Sequence, residues 1–318
     1  MIEQVEQITL GPGGAAVAPL GVGTWAWGER RLWSYGRDYG PAELAEAFDA
    51  SVAGGVTLFD TAEIYGKGES ERLLGGFARA SATPIVVATK IAPYPWRLTA
   101  RAVRRALTAS LRRLGLSRVE LYQVHFPYTV LSQRRLLDAL ADAVADGEIG
   151  AVGVSNYSAA QTVQAHAILA RRGVPLATNQ VQYNLFHRRP EADGTLDACR
   201  AVGATLIAYS PLAQGLVSGK YRPGGARPRD FRKYFSTFGE TNLRAVAPVV
   251  DLLREIGAAH GEKTPAQVAL NWLIRQEGVL PIPGAKDAAQ ARANAGALGW
   301  ALSPDEVARI GAATRRWR

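Results

Sequence analysis

The sequence predicts an α/β fold: a (β/α)8 TIM barrel with an N-terminal β-hairpin and a long loop after its seventh strand. Three observations carry this. Short β-branched or apolar runs, eight of them, alternate with about eight longer amphipathic runs. The length of 318 residues suits one such barrel, which typically holds roughly 250, so residues 1–318 read as a single domain. A doubly wound open sheet would want a glycine-rich phosphate turn after an early strand. None is present, since Gly21-Val22-Gly23 lacks the later glycine of that fingerprint.

Taken in order, Gly11-Pro12-Gly13-Gly14 reads as a hairpin turn ahead of the barrel. The strands are Gly21–Thr24, Thr57–Asp60, Ile85–Lys90, Leu121–His125, Ala151–Ser155, Thr178–Val181, Leu206–Tyr209 and Val279–Ile282. Between them, Pro41–Gly54 places Leu44, Ala47, Phe48 and Val52 on one helical face, and Thr99–Leu114 does the same with Val103, Leu107 and Leu111. Gln133–Ala145, Ala159–Ala170 and Asn242–Ala259 follow the same spacing, and Thr264–Arg275 opens with Thr-Pro, a strong helix start. Two long loops stand out. Trp25 to Gly40 is rich in Trp and Tyr, and Pro211 to Glu240 is rich in Gly, Pro, Arg and Lys, the form of a functional lid or a disordered segment.

Composition narrows the class. An apolar fraction of 47% and a charged fraction of 20% exclude disordered and fibrous chains. One cysteine, Cys199, cannot form an internal disulfide, so no oxidising compartment is required. Met1 to Leu10 carries Glu3 and Glu6 and lacks the basic head and apolar run of a secretory leader. No apolar stretch approaches the roughly 18–20 residues that cross a bilayer, and a cytoplasmic location is expected. Against 28 acidic side chains stand 37 basic ones, a net charge of +9. Its arginines are scattered over helices, without the interleaved aromatics of a nucleic-acid surface, so a solvated basic shell is expected and no nucleic-acid partner.

Active sites of such barrels sit at the carboxyl ends of the strands. Those ends carry Asp60, Lys90, His125, Ser155 with Asn156, Gln180 with Gln182, and Tyr209 with Ser210. Any one could be a helix cap or a packed core residue; six polar strand ends on an apolar scaffold argue for a site. Asp60 and Lys90 end adjacent strands and can pair. Tyr65 lies in the following loop, where a neighbouring ammonium favours its phenolate and poises it for proton transfer near neutrality. His125 can orient or polarise a carbonyl oxygen. The four histidines have no metal-ligand spacing, and Cys199 has no base nearby, so no metal is expected.

The stretches Leu58-Phe59-Asp60-Thr61-Ala62-Glu63-Ile64-Tyr65-Gly66, Ala88-Thr89-Lys90 and Gln123-Val124-His125 resemble the signatures of the aldo-keto reductases. So do Gly153-Val154-Ser155-Asn156, Tyr209-Ser210-Pro211-Leu212 and Pro281-Ile282-Pro283-Gly284. The resemblance runs from about Leu20 to Trp300, in the family's order, and Ser210–Lys220 is nearest the branch holding bacterial and plant-plastid reductases and potassium-channel beta subunits. It implies hydride transfer from NADPH to an aldehyde or ketone without a metal. By the same resemblance Tyr65 is the general acid, Lys90 lowers its pKa, Asp60 pairs with Lys90, and His125 orients the carbonyl.

It further implies that Ser155, Asn156 and Gln180 hold the nicotinamide amide and that Tyr209 stacks on its ring. Ser210, Pro211, Leu212, Gly215, Leu216 and Lys220 would follow the pyrophosphate, with Gly23, Thr24, Trp25 and Asp60 beside the cofactor. Pro283, Gly284, Lys286, Gln290 and Asn294 match the adenosine-phosphate segment. Two positions depart from the family: Ala293 replaces the usual Glu, and Gln290 replaces a frequent Arg. Lys286 and Arg292 would then supply the charge that prefers NADP to NAD. A substrate pocket is expected from Trp25, Trp33, Tyr65, Tyr94, Trp96, His125 and Phe126. The expected protein is a monomer or weak oligomer acting on a small carbonyl compound. The alternative is a cofactor-binding regulatory or redox-sensing protein of the same fold with little turnover.

Overall fold

The computed structural model describes residues 6–318. Met1 to Val5, with Glu3, on which part of the leader expectation rests, lie outside the described residues. A short antiparallel hairpin, β1 (Ile8–Thr9) and β2 (Ala16–Val17), comes first. Eight parallel strands follow: β3 (Gly21–Gly23), β4 (Leu58–Asp60), β5 (Val86–Ile91), β6 (Val119–Val124), β7 (Ile149–Ser155), β8 (Leu176–Gln182), β9 (Thr205–Tyr209) and β10 (Val279–Ile282). They are hydrogen-bonded in chain order, and a bridge from Gly23 to Gly284, with Gly23 N–H donating to the Pro283 carbonyl at 3.0 Å, draws β10 against β3. This is the expected TIM barrel with its N-terminal hairpin.

The helices wrap the outside: α1 (Pro41–Ala53), α2 (Glu69–Ala80), α3 (Ala100–Leu114), α4 (Gln133–Ala145), α5 (Ala159–Ala170), α6 (Arg189–Ala192), α7 (Thr195–Ala201), α8 (Glu240–Ala259), α9 (Pro265–Ile274), α10 (Ala288–Ala295) and α11 (Pro304–Ala313). Their starts follow local chemistry. Thr99 and Ser132 accept from the third backbone N–H beyond them, and Ser158, Thr264 and Ser303 form full capping boxes. α2 has two mid-helix glycines, and Gly75 is there for contact: a Cβ would lie 2.0 Å from the Leu114 carbonyl oxygen at the end of α3. None of the helices among the described residues is long and apolar enough to cross a membrane.

Inside the barrel, Leu58, Ala88, Leu121, Ala151, Ile207 and Leu280 form an apolar layer that Leu10 and Val17 of the hairpin close from below. Two residues further along three neighbouring strands stand Asp60, Lys90 and Gln123, on the same face by the period of a strand. The barrel therefore changes from apolar filling to a polar floor within one layer.

The long connection from Pro211 to Glu240 is folded rather than disordered. It is pinned by buried Leu216, Val217, Tyr221 and Phe238 and folded into three short 3-10 turns, Ala213–Ser218, Phe231–Tyr234 and Ser236–Phe238.

Candidate active site

A cleft of about 770 Å³ opens over the carboxyl ends of the strands. At its floor lies one connected polar chain. The Lys90 ammonium, fully buried, donates to Asp60 Oδ1, to the Thr61 carbonyl at 2.9 Å and to the Tyr65 hydroxyl at 3.4 Å. Asp60 Oδ2 accepts from Gln123 Nε2 and Gln180 Nε2, each at 2.9 Å. Such a buried carboxylate is tolerable because it is paired and its lone pairs are filled.

Electrostatics set the protonation states. Burial alone would pull Lys90 down, but Asp60 and Tyr65, by charge and hydrogen bond, outweigh it, and its pKa lies above the ordinary lysine value. For Tyr65, burial pushes the phenol up, Lys90 pulls it back, and Asp60 adds a smaller upward push; the net direction is up. This corrects the expectation of a phenol poised near neutrality: the cost of burying a phenolate exceeds the pull of one ammonium. The Tyr65 phenol is thus favoured in its protonated form. His125, 6% exposed, is pushed down to about 3 by burial and the Lys90 charge, so its imidazole is neutral. Its ring meets that of Tyr65 edge to face at 5.7 Å, and its Nδ1 is buried without a partner among the described residues.

Beside this floor, Asn156 Nδ2 donates to the His125 carbonyl and to Ser155 Oγ, each at 3.1 Å, Ser155 Oγ donates to the Gln180 carbonyl at 2.8 Å, and Tyr209 donates to Asn156 Oδ1 at 3.1 Å. Asn156, Ser210 and Gln214 line the cleft with φ of 62°, 50° and 55°, left-handed backbone that non-glycine residues hold at a cost of about 1–3 kcal/mol.

At the other end the cleft is cationic. Lys220, Arg232 and Lys286 line it. Lys286 Nζ rests over the rings of Trp33 and Tyr39, 5.3 and 5.0 Å from their centroids, and Asn294 ties the Gly284 carbonyl at 3.1 Å. Arg232 is clasped by Asp230 and donates to the Gln214 carbonyl at 2.7 Å. Neighbouring Phe231 meets Trp25 and Trp33 edge to face, at 6.3 and 5.0 Å, which joins the two long loops across the cleft.

The structure brings together Gly23, Thr24, Trp25, Asp60, Tyr65, His125, Phe126, Ser155, Asn156, Gln180, Tyr209, Ser210, Pro211, Leu212, Gly215, Lys220, Pro283, Gly284, Lys286, Gln290 and Asn294, together with Trp33, on one cleft surface. Four expected residues lie elsewhere. Leu216 is fully buried in the outer hydrophobic core, where its apolar side chain is better satisfied than along an ionic path. Tyr94 and Trp96 stack on each other at 4.6 Å away from the cleft, and Trp96 is 68% exposed. Arg97 holds that loop in place by binding Glu63 and covering the Tyr94 ring at 4.9 Å. Arg292 is exposed and off the cleft; Arg232, one arginine among several in its loop, stands there instead. Gln182, Gln214 and Ser218 also line the cleft, and Gln123 lies under it; of these, Gln182 stood among the polar strand ends, Gln123 within a quoted motif, and Gln214 and Ser218 within the Ser210–Lys220 run, where no role was assigned to them.

Comparison with known proteins agrees with this architecture. The model of the aldo/keto reductase family matches residues 19–315. A chloroplastic pyridoxal reductase of Arabidopsis thaliana is 40% identical over 95% of this chain and 84% of its own. An uncharacterized oxidoreductase of Mycobacterium tuberculosis is 41% identical over 95% of this chain and 91% of its own. Among solved structures, a glycerol dehydrogenase from Gluconobacter oxydans superposes with a TM-score of 0.85 at 26% identity, covering 98% of this chain and 96% of its own. An aldo-keto reductase from Klebsiella pneumoniae in complex with NADPH gives 0.74 at 29% identity, over 97% and 95%. The chain belongs to the aldo/keto reductase family.

Proposed function

We propose that the chain is an NADPH-dependent oxidoreductase that reduces aldehyde or ketone carbonyls to alcohols, with Tyr65 as the general acid. The observation that carries this is the buried Asp60–Lys90–Tyr65 chain beside a neutral His125, under a cleft that turns cationic at its far end. Fit to a phosphorylated dinucleotide rests on the same cleft. Ser155, Asn156 and Gln180 offer hydrogen bonds near the floor, Tyr209 an aromatic face, and Lys220, Arg232 and Lys286 positive charge. When bound, the reduced nicotinamide supplies the hydride.

The protein's own part is proton delivery and orientation. The Tyr65 hydroxyl gives its proton to the carbonyl oxygen as negative charge develops there, and the fixed Lys90 charge stabilises the phenolate left behind. Neutral His125 can donate its single ring N–H to the same oxygen without adding a second cation beside Lys90. Asp60 keeps Lys90 charged and in place.

The whole chain, 1–318, is proposed to act as one unit whose cleft needs no second copy, as a monomer or weak oligomer. Its one thiol, Cys199, is pushed up to about 12 by burial, and a cytoplasmic setting is proposed.

The test is to mix the protein with NADPH and a panel of aldehydes and ketones and follow reduced-cofactor absorbance. Pyridoxal belongs in the panel because one 40% identical relative is named for its reduction. Consumption that Tyr65→Phe abolishes supports the reading. Tight NADPH binding with no consumption across the panel would favour the regulatory, cofactor-binding alternative.

A further inference from the structure

Gln123 has no part in the mechanism above, yet it lies at the centre of the polar floor. Its side chain is fully buried, opposite Lys90 on one side and Gly153 on the other in the strand register. Gly153 makes the room: a Cβ there would lie 2.9 Å from Gln123 Cγ and 2.2 Å from Thr178 Oγ1. Gln123 Nε2 donates to Asp60 Oδ2 at 2.9 Å, while Gln123 Oε1 accepts from Gln180 Nε2 at 3.2 Å. Gln180 Nε2 also donates to Asp60 Oδ2 at 2.9 Å. The sense of both amides is settled by chemistry, because an ionised carboxylate only accepts and an amide donates only through nitrogen.

Both hydrogens of Gln180 are therefore committed, one to Asp60 and one to Gln123. What Gln180 has left for a ligand in the cleft is its carbonyl oxygen, an acceptor. We propose that Gln123 is a positioning residue which fixes Gln180 as a pure acceptor, so that the carboxamide side of the cofactor must present an N–H, and which ties that subsite to the proton-donating chain through Asp60. This rests on the NADPH reading above and adds a rule about ligand chemistry. The carboxamide is selected by its amino group, and an acetyl group of the same shape is rejected: its methyl leaves the Gln180 oxygen unpaired, and turning the group over sets two acceptors face to face.

The experiment measures binding by quenching of tryptophan fluorescence, with NADPH and its 3-acetylpyridine analogue, which replaces the carboxamide NH2 by methyl. Wild type should prefer NADPH by about tenfold, the worth of one buried hydrogen bond and its unpaired counterpart. Gln123→Leu frees one Gln180 N–H, which can then donate to the acetyl oxygen, and the preference should shrink to about threefold or less. A folded Gln123→Leu protein, checked by circular dichroism, with a preference within twofold of wild type overturns the proposal.

Gln123→Glu covers the case in which Gln123→Leu fails to fold. Its carboxylate still accepts from Gln180, so the preference should stay near the wild-type value, but it repels Asp60 until it is protonated. Turnover relative to wild type should then rise at least about threefold from about pH 8 to about pH 6. A flat ratio, or a collapsed preference in Gln123→Glu, overturns the proposal. If wild type binds no NADPH, the cofactor reading fails and the bridge falls with it; wild-type binding with an unchanged Gln123→Leu preference removes the bridge alone.

Discussion

Lys90 and Tyr65 meet beneath the cleft, with the ammonium nitrogen 3.4 Å from the phenol oxygen and 5.0 Å from the ring centroid. Lys90 comes from β5 and Tyr65 from a 3-10 turn, Tyr65–Gly68, between β4 and α2, so the contact ties that turn to the barrel wall. Lys90→Met should act twice. It removes the cation that offsets burial of the phenolate, and turnover should fall by about 10²–10⁴. It also leaves buried Asp60 with only the two amide donors, at a cost of about 3–5 kcal/mol. Steady-state kinetics and denaturant titration separate the two. A variant with wild-type stability and turnover would remove Lys90 from both roles.

The direction of the Tyr65 shift gives a pH profile. An acid with a raised pKa stays protonated through neutrality, so the reductive rate should be flat there and fall only on the alkaline side, above the ordinary tyrosine range. His125, already neutral above about 3, adds no limb between them. A rate that fell with an apparent pKa near 7 would contradict the burial argument.

His125 also predicts a stability effect. Its folded-state pKa is depressed from 6.5 to about 3, so the unfolded chain binds a proton that the folded one refuses. The stability due to neutral His125 is whole above about 6.5 and is lost as pH falls toward about 3, by an order of a few kcal/mol. His125→Asn should flatten the loss of stability between about pH 6.5 and pH 4, measured by denaturant titration at each pH. An unchanged slope would place the acid sensitivity elsewhere.

The floor of the site was legible in the sequence because each strand is short and its end is polar, and a strand's direction puts that end at the mouth. What was not legible depends on contacts between distant segments. Tyr94 and Trp96 look like pocket walls by residue type, but the Arg97–Glu63 pair holds their loop outside the cleft. Leu216 sits in a matching motif, yet backbone turns at Gln214 and Gly215 bury it in the core. Arg232 could not be picked out among its neighbours until Asp230 and the Gln214 carbonyl located it. α10, rich in alanine, has little apolar stripe for a periodicity reading to find, and the paired glycines of α2 mask a helix that packs closely on α3.

The hairpin makes a stability prediction of its own. Gly11 and Gly13 both have left-handed backbone, at φ of 67° and 74°, but they differ in surroundings. A Cβ at Gly11 would sit 1.9 Å from the Ala177 carbonyl oxygen of β8, whereas at Gly13 the nearest atom is 3.6 Å away. Gly13→Ala should cost about 1 kcal/mol of backbone strain alone. Gly11→Ala adds a backbone collision and should cost at least about 1 kcal/mol more, because either β8 or the hairpin must move. Equal losses in chemical denaturation would mean that the hairpin does not seal the barrel floor.

Cofactor choice is predicted to depend on Lys286. The two cations Arg232 and Lys286 differ in what they have to spare: Arg232 is held by Asp230 on both carboxylate oxygens, so its charge is largely answered within the protein. Lys286 is half-buried over two aromatic rings, and burial, with the nearby Arg232, holds its pKa below the usual lysine range. A cation so placed gains from an incoming phosphate, which removes the penalty of its partial desolvation. Lys286→Met should therefore weaken NADPH binding by about 10–100-fold, the worth of one charge-assisted hydrogen bond, and leave NADH binding within about twofold. Arg232→Met should change the NADPH-to-NADH ratio less, since its loss also frees Asp230. The wild-type preference should narrow as salt is raised, because an exposed phosphate is screened. Fluorescence titrations with both dinucleotides at two ionic strengths test this. Equal losses for NADPH and NADH in Lys286→Met would place that lysine on the shared pyrophosphate, and the preference for NADPH would then have to come from another residue.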